Sequence, residues 1–310
     1  MMTKRILLSL LLISAAACSE PAVEAPAEPM AVEPEPAPVE MVVPEIDPAE
    51  AALTAAVASD IRSEGNKARD PFRNPAETIA FFGVEPGDTV VEIWPGGGWY
   101  TEILAPYVTA GGGTYYAAHF DPDGPFGQES LARFDEKFVG SPDVYGPITL
   151  TALSAGSLEI APAESADFVL TFRNVHNFEM GDWTPAAFAA FFAALKPGGV
   201  LGVVDHRLPE QADPLAEKRT GYVKVSTVKQ YAEEAGFVFD GESEINANPN
   251  DDADHPFGVW TLPPNSRLTD RNGEAPEGFN PDEFSVIGES DRMTLRFKKP
   301  EAEPTEALLE

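Results

Sequence analysis

Cysteine, histidine and basic residues are what this sequence has least of. The 310 residues include one cysteine, four histidines and 21 lysines and arginines. One cysteine excludes any intrachain disulfide. The 51 acidic residues leave a formal net charge of −30. Such a surface repels phosphate backbones, so nucleic acid is not an expected partner. No H-x-x-x-H pair and no EF-hand spacing occurs, and no metal site is expected. The apolar run Ile6 to Ile13 is too short to cross a bilayer as a stable helix. What remains is ample for folding: 43% of the residues are hydrophobic, and the length suits one large domain with appendages.

The first residues read as an export signal. Lys4 and Arg5 form a basic start, Ile6 to Ile13 an apolar core, and Ser14 to Ala17 a small-residue cleavage region. Cys18 follows directly, an arrangement that resembles a bacterial lipobox, although Ala15 stands where leucine is usual. The resemblance implies a lipid anchor on Cys18, and Ser19 behind it implies the outer membrane. Ordinary secretion with an incidental cysteine is the alternative. From Ser19 to Pro48 the chain is dominated by Pro, Ala, Glu and Val, without helical or strand period. Such a segment buries too little apolar surface to offset its ordering entropy and reads as a tether. The expected organisation is a signal over 1–18, a disordered tether over 19–48, a folded domain over 49–300 and a disordered tail over 301–310.

The domain is organised around Asp88 to Pro106, DTVVEIWPGGGWYTEILAP. Thr89 to Trp94 is a short β-rich run. Pro95-Gly96-Gly97-Gly98 is a turn that glycine makes cheaply. From Trp99 on, apolar residues recur at helical spacing. Strand, glycine turn and helix form the first half of a βαβ unit that a nucleotide can approach. A dinucleotide-binding turn fits less well, because Thr101 stands where the third glycine of G-x-G-x-x-G would fall.

Strand and helix patterns then alternate. Strands are expected at Thr114–Phe120, Ile148–Leu153, Asp167–Phe172, Val200–Asp205, Phe237–Ile245 and Met293–Phe297. Helices are expected at Phe126–Phe138, Pro185–Leu195 and Thr227–Ala235. Ahead of the glycine turn, Ala49–Ile61 and Asn74–Phe82 read as helices, the second with Asn74 as cap and Glu77 reaching back to it. Between them, Arg69 to Arg73 is a charged loop, facing either the cleft or solvent. Alternation of this kind implies a mostly parallel sheet with right-handed crossovers.

The E-I-x-P-G-G-G string at Glu92 to Gly98 resembles motif I of class I S-adenosylmethionine-dependent methyltransferases. The L-K-P-G-G-V-L string at Leu195 is similar to the one before their fifth strand. With TFRNVHN, VVDHR, TGYVKVS and GVWTLPP, the chain resembles a bacterial group of exported methyltransferases over about residues 71–299. The resemblance implies a Rossmann-like α/β fold with a mostly parallel seven-stranded sheet, helices on both faces and a long insertion before the last strand. It implies S-adenosylmethionine as cofactor, held by Glu92, Pro95, Gly96, Gly97 and Gly98, with His119, Asp121 and Arg173 as further contacts. In that family an acid ending strand two takes the ribose hydroxyls. Aligning Asp121-Pro122 with the usual acid-x-Asp-Pro ending puts His119 in its place. Ser154 stands near the place of the acid that faces the adenine amino group.

Ligands in open α/β sheets bind at the carboxyl ends of the strands. Three of the four histidines fall there: His119, His176 and His206. His176 and His206, with Asn174 and Asp205, are the candidate catalytic residues, one histidine acting as general base. Both rings are expected in one cleft, opening to the same pocket as Gly96. The Asn246–Ser290 insertion is expected to cover it. The function expected is methyl transfer to a small or envelope-derived acceptor. The alternative is a binding or scaffolding protein that keeps the fold without the cofactor.

Overall fold

The computed structural model describes residues 47–124 and 127–302. The export signal, Cys18, nearly all of the tether and the tail from residue 303 lie outside the described residues.

Among the described residues nine strands form: β1 Thr89–Ile93, β2 Thr114–His119, β3 Ile148–Ala152, β4 Ala166–Phe172, β5 Leu195–Leu208, β6 Val223–Lys224, β7 Val238–Ser243, β8 Pro256–Val259 and β9 Arg292–Lys298. The sheet order is β3-β2-β1-β4-β5-β9-β7, with β6 paired to the end of β5. Strands β1 to β5 pair in parallel, and β9 runs antiparallel to both neighbours. The chain leaves β1 for β2 on one side and enters β4 on the other. The switch point, and the crevice it opens, therefore lies at the carboxyl ends of β1 and β4.

Strand alternation divides the core between the two faces. Val91, Ile93, Leu201 and Val203 face the helix Thr184–Ala194 and its Phe188 and Phe191. Val90, Leu170 and Val204 face Ile79 and Phe82 of the helix Pro75–Phe82 and Ile103 and Leu104 of the helix Thr101–Ala110. Phe82 is 1% exposed, and burying it is worth roughly 2–3 kcal/mol. Gly202 makes that packing possible, since a β-carbon there would lie 2.9 Å from the Phe82 ring.

The structure departs locally from the sequence expectations. Asn74 does not cap the helix that follows it. Its backbone is left-handed (φ 40°) and closes the short helix Asp70–Arg73, while its side chain donates to the Ile245 carbonyl at 2.7 Å. The helix expected over Phe126–Phe138 is α-helical over Gly127–Phe134 and continues as a π-helix over Asp135–Val139. The Lys196–Gly199 turn falls within the bounds of β5, where a register shift opposite Asp167 accommodates it. That strand also runs beyond Asp205, so His206 lies within it.

Candidate active site

The site grows from the ends of β4 and β5. After Phe172 the chain turns through Arg173, whose φ of 63° is unusual for a residue with a β-carbon. Its N–H donates to the Val204 carbonyl at 2.7 Å. The buried Asn174 amide donates to the Ile93 carbonyl at 2.8 Å, tying the end of β1 to the end of β4. Asn174 is thus committed to the scaffold. The helix Val175–Met180 starts next and puts His176 in its first turn.

Asp205 is fully buried in β5 and accepts three hydrogen bonds: from His176 Nδ1 at 2.8 Å, the His176 N–H at 3.2 Å and the His206 N–H at 2.7 Å. An ionised carboxylate only accepts, so Nδ1 of His176 carries the proton. Nε2 is then the basic nitrogen, in a carboxylate-oriented arrangement that suits a general base. The His206 ring lies 5.0 Å from that of His176, its Nδ1 within hydrogen-bond reach of the Ser290 hydroxyl. Burial, with the charges of His176 and Arg173 added, drives the His206 pKa well below the ordinary histidine value. His206 is accordingly a neutral group near pH 7.

Both histidines line one cavity of about 190 Å³, together with Arg173, Trp260, Glu289 and Ser290. Trp260, Glu289 and Ser290 come from the long insertion, which forms a wall of this cavity. Gly96 is not among the lining residues. The charged segment at Arg69–Arg73 is neither a loop nor a surface ion pair. Arg73 is 1% exposed and reaches Glu289 at 3.1 Å; Arg69 reaches the same carboxylate at 2.7 Å and Arg292 at 3.3 Å.

Ligand-capable atoms of His176, Asp205 and His206 lie within 4.8 Å of one another, a spacing compatible with a metal ion. The surroundings oppose one. Asp205 is already engaged three times, and several arginines set a positive field there.

The cofactor candidates lie on the other side of β4. Glu92 is buried and accepts from the Thr101 hydroxyl at 2.7 Å and from the Tyr115 hydroxyl. It ties β1 to β2 and to the helix Thr101–Ala110. Burial pushes its pKa up to about 7. Pro95 closes the turn by accepting the Gly98 N–H at 2.9 Å. Beta-carbons at Gly96 and Gly97 would meet open space, but one at Gly98 would lie 2.2 Å from the Phe138 ring.

No protein-family model and no curated protein matches the chain. Solved structures do. The [4+2]-cyclase SpnF aligns with a TM-score of 0.51 at 13% identity, over 81% of this chain and 93% of its own. A sarcosine dimethylglycine methyltransferase homologue from Galdieria sulphuraria aligns at 0.49 and 17% identity, over 76% and 86%. A methyltransferase dependent on S-adenosylmethionine from Aquifex aeolicus aligns at 0.45 and 20%, over 58% and 87%. With the strand order and the antiparallel β9, the fold is the Rossmann-like fold of class I methyltransferases. At these identities the likeness establishes the fold alone.

The residues in place do not fit a nucleoside in the position that this fold offers. His119 donates from Nε2 to the Gly96 carbonyl at 3.2 Å and accepts the Phe120 N–H on Nδ1 at 2.8 Å. Both ring nitrogens are spent, and no carboxylate stands there for ribose. Asp121, two residues beyond the ribose position, accepts from the Ser154 hydroxyl at 2.9 Å, so the side chain near the adenine position is engaged as well. The indole of Trp94 is half-buried at the end of β1. It packs on Phe120, Phe178 and Trp183 with ring centroids 4.9 to 5.7 Å away and donates to the Leu153 carbonyl at 2.9 Å. Trp94 itself is left-handed, with φ 44°. Motif reasoning passes over Trp94, because a tryptophan after a strand reads as core until its neighbours are known.

Proposed function

We propose that this chain is an enzyme in which His176 is a general base: the proton of an acidic group on a small or envelope-derived substrate moves to Nε2, and its bonding pair stays on the substrate. The observation that carries this reading is the buried Asp205–His176 hydrogen bond, which leaves Nε2 basic beside a cavity. Asp205 orients the ring and stabilises the imidazolium that forms. His206, uncharged and held by Ser290, lies beside it as a second polar group of the same wall. Oriented bases of this kind typically contribute 10²–10⁴-fold to rate.

Methyl transfer from S-adenosylmethionine to the same acceptor is the second reading, which the fold and the open faces of Gly96 and Gly97 favour. The indole of Trp94 and the spent ring of His119 count against it. A binding or scaffolding protein is the third reading, and it would show no turnover. The export signal and the lipobox-like Cys18 support a location in the envelope, as an outer-membrane lipoprotein.

Diethyl pyrocarbonate acylates unprotonated imidazole nitrogens and so reads the base directly. His176 should label at least tenfold faster than His119, and Asp205→Asn should slow His176 selectively. Equal rates would remove the base from the proposal. Calorimetry against S-adenosylhomocysteine separates the first two readings. No heat is expected from the wild type; micromolar binding would restore methyl transfer.

A further inference from the structure

Four arginines gather behind and beside the candidate site. Arg69, Arg73 and Arg292 share one carboxylate, Glu289, which is 4% exposed. Arg173 belongs to no ion pair among the described residues, and it lines the cavity next to Glu289. The carboxylate behind the two histidines, Asp205, is spent on His176 and His206. Counting both acids, positive charge exceeds negative by two, in a chain whose net charge is −30.

This excess is buried, and it is incompletely satisfied. Nη2 of Arg69 and Nη2 of Arg73 are out of contact with solvent and have no hydrogen-bond partner. A buried guanidinium without a partner costs several kcal/mol unless a counter-charge arrives. Burial and mutual repulsion weaken the charged forms. Arg73 is lowered to about 9 by burial and by Arg173, and Arg173 to about 10 by burial and by Arg292. The rest of the cluster is fixed. Arg292 donates to the Phe72 carbonyl, Arg73 lies 4.6 Å over the Trp99 ring, and Glu289 is anchored by its three arginines. None of these can swing away to solvent.

We propose that the cavity is an anion site, in which the guanidinium of Arg173 pairs with the oxyanion group of a small molecule whose acidic proton faces His176 Nε2. The molecule is a carboxylate or phosphate ester. At about 190 Å³ the cavity is smaller than the pockets that hold drug-sized ligands, which excludes a nucleotide or a polymer segment as the full occupant. The site takes an oxyanion rather than a cation, because the arginines repel the second and are relieved by the first. The carboxylate of Glu289 keeps Arg69, Arg73 and Arg292 in place and leaves Arg173 free for the ligand. The inference extends the His176 reading to a substrate class. It is measured by binding alone, so it stands or falls separately from any base at His176.

The test uses succinate, inorganic phosphate and, as a neutral control, succinamide, each titrated into the purified protein by calorimetry at constant ionic strength. Saturable binding of succinate or phosphate, with none of succinamide, is expected. Arg173→Gln should weaken it at least tenfold, and Arg173→Lys should recover part of the loss. Should Arg173→Gln fail to fold, phenylglyoxal labelling of the wild type replaces it, with Arg173 protected by the ligand that binds. Absence of saturable binding by either anion, or unchanged binding in Arg173→Gln, would overturn the proposal. So would phenylglyoxal modification of Arg173 unaffected by a bound anion. Zinc binding that consumes His176 and His206 in place of anion binding would overturn it too.

Discussion

Asp205 and Glu92 are two buried carboxylates on neighbouring parts of one sheet, and their surroundings give them opposite work. Asp205 accepts from three N–H groups and orients a histidine beside a cavity. Glu92 meets only hydroxyls, those of Thr101 and Tyr115, in a place with no cation. Hydroxyl donors offset part of the desolvation, and burial still dominates, raising the group from 4.5 to about 7. A raised pKa means that the folded state holds the proton more tightly than the unfolded chain does. The associated stability is fully present below pH 4.5 and is lost as the pH rises to about 7. A shift of this size corresponds to on the order of 3 kcal/mol. Thermal melts of the wild type should therefore fall across this window more steeply than those of Glu92→Gln, which cannot ionise. Parallel curves for the two proteins would show that Glu92 is ionised in the folded protein throughout. Of these two acids the motif marked Glu92 for the cofactor turn, and the structure engages its carboxylate with two hydroxyls behind that turn. The partners that set its chemistry, Thr101 and Tyr115, come from nine and twenty-three residues away and carry no signal in the string.

The strands and most helices were legible because period and punctuation agree with tertiary demand at those places. Val90 and Val91 alternate between faces, Gly113 precedes β2, and Pro185 opens the helix Thr184–Ala194. What was hidden depends on contacts distant in sequence. Asn74 reads as a cap, yet its amide is drawn to Ile245, 171 residues away. The Arg69–Arg73 segment reads as a charged loop facing either the cleft or solvent, and what decides it is Glu289, more than 200 residues on, which pairs with Arg69 and the buried Arg73. The site shows the same division. His176 and Asp205 are visible as polar strand ends, whereas Trp260 and Ser290 reach the cavity only through the folded insertion. The glycine turn makes the point testable. Gly98 carries φ 77° and has the Phe138 ring of the π-helix against its α-carbon, while Gly97 has a common φ and open space. Gly98→Val should cost several kcal/mol in denaturant unfolding, through the collision and the strained backbone together. Gly97→Ala should change stability by less than about 0.5 kcal/mol, as exposed substitutions do. A loss of ligand binding in Gly98→Val therefore reports on folding first. Equal stability of the two variants would mean that Phe138 does not rest on the turn.

At the scale of the whole molecule, a chain with a net charge of −30 carries a buried pocket of positive charge. The two facts act together on a small anion: the outer surface repels it at long range, and the cavity holds it once inside. Association should therefore quicken with added salt, the reverse of ordinary steering, within the range where the Debye length falls below about 10 Å. Where the domain stands matters to which anions it meets, and the sequence features that bear on this lie outside the described residues. Among the described residues no helix is long and apolar enough to cross a membrane. On the proposed envelope location, the lipobox-like sequence at Cys18 would supply the anchor, with the Pro, Ala and Glu stretch behind it as tether. The chain's single cysteine makes the experiment clean, because replacing it removes no disulfide and no other thiol can accept the lipid. A single acyl chain gives only marginal binding, whereas several chains on one terminus hold stably. Wild-type protein should accordingly partition into the detergent phase and sediment with membranes, and Cys18→Ala should move it to the soluble fraction with unchanged folding. Processed wild type found already soluble would show ordinary secretion, and the domain would then sample the compartment freely.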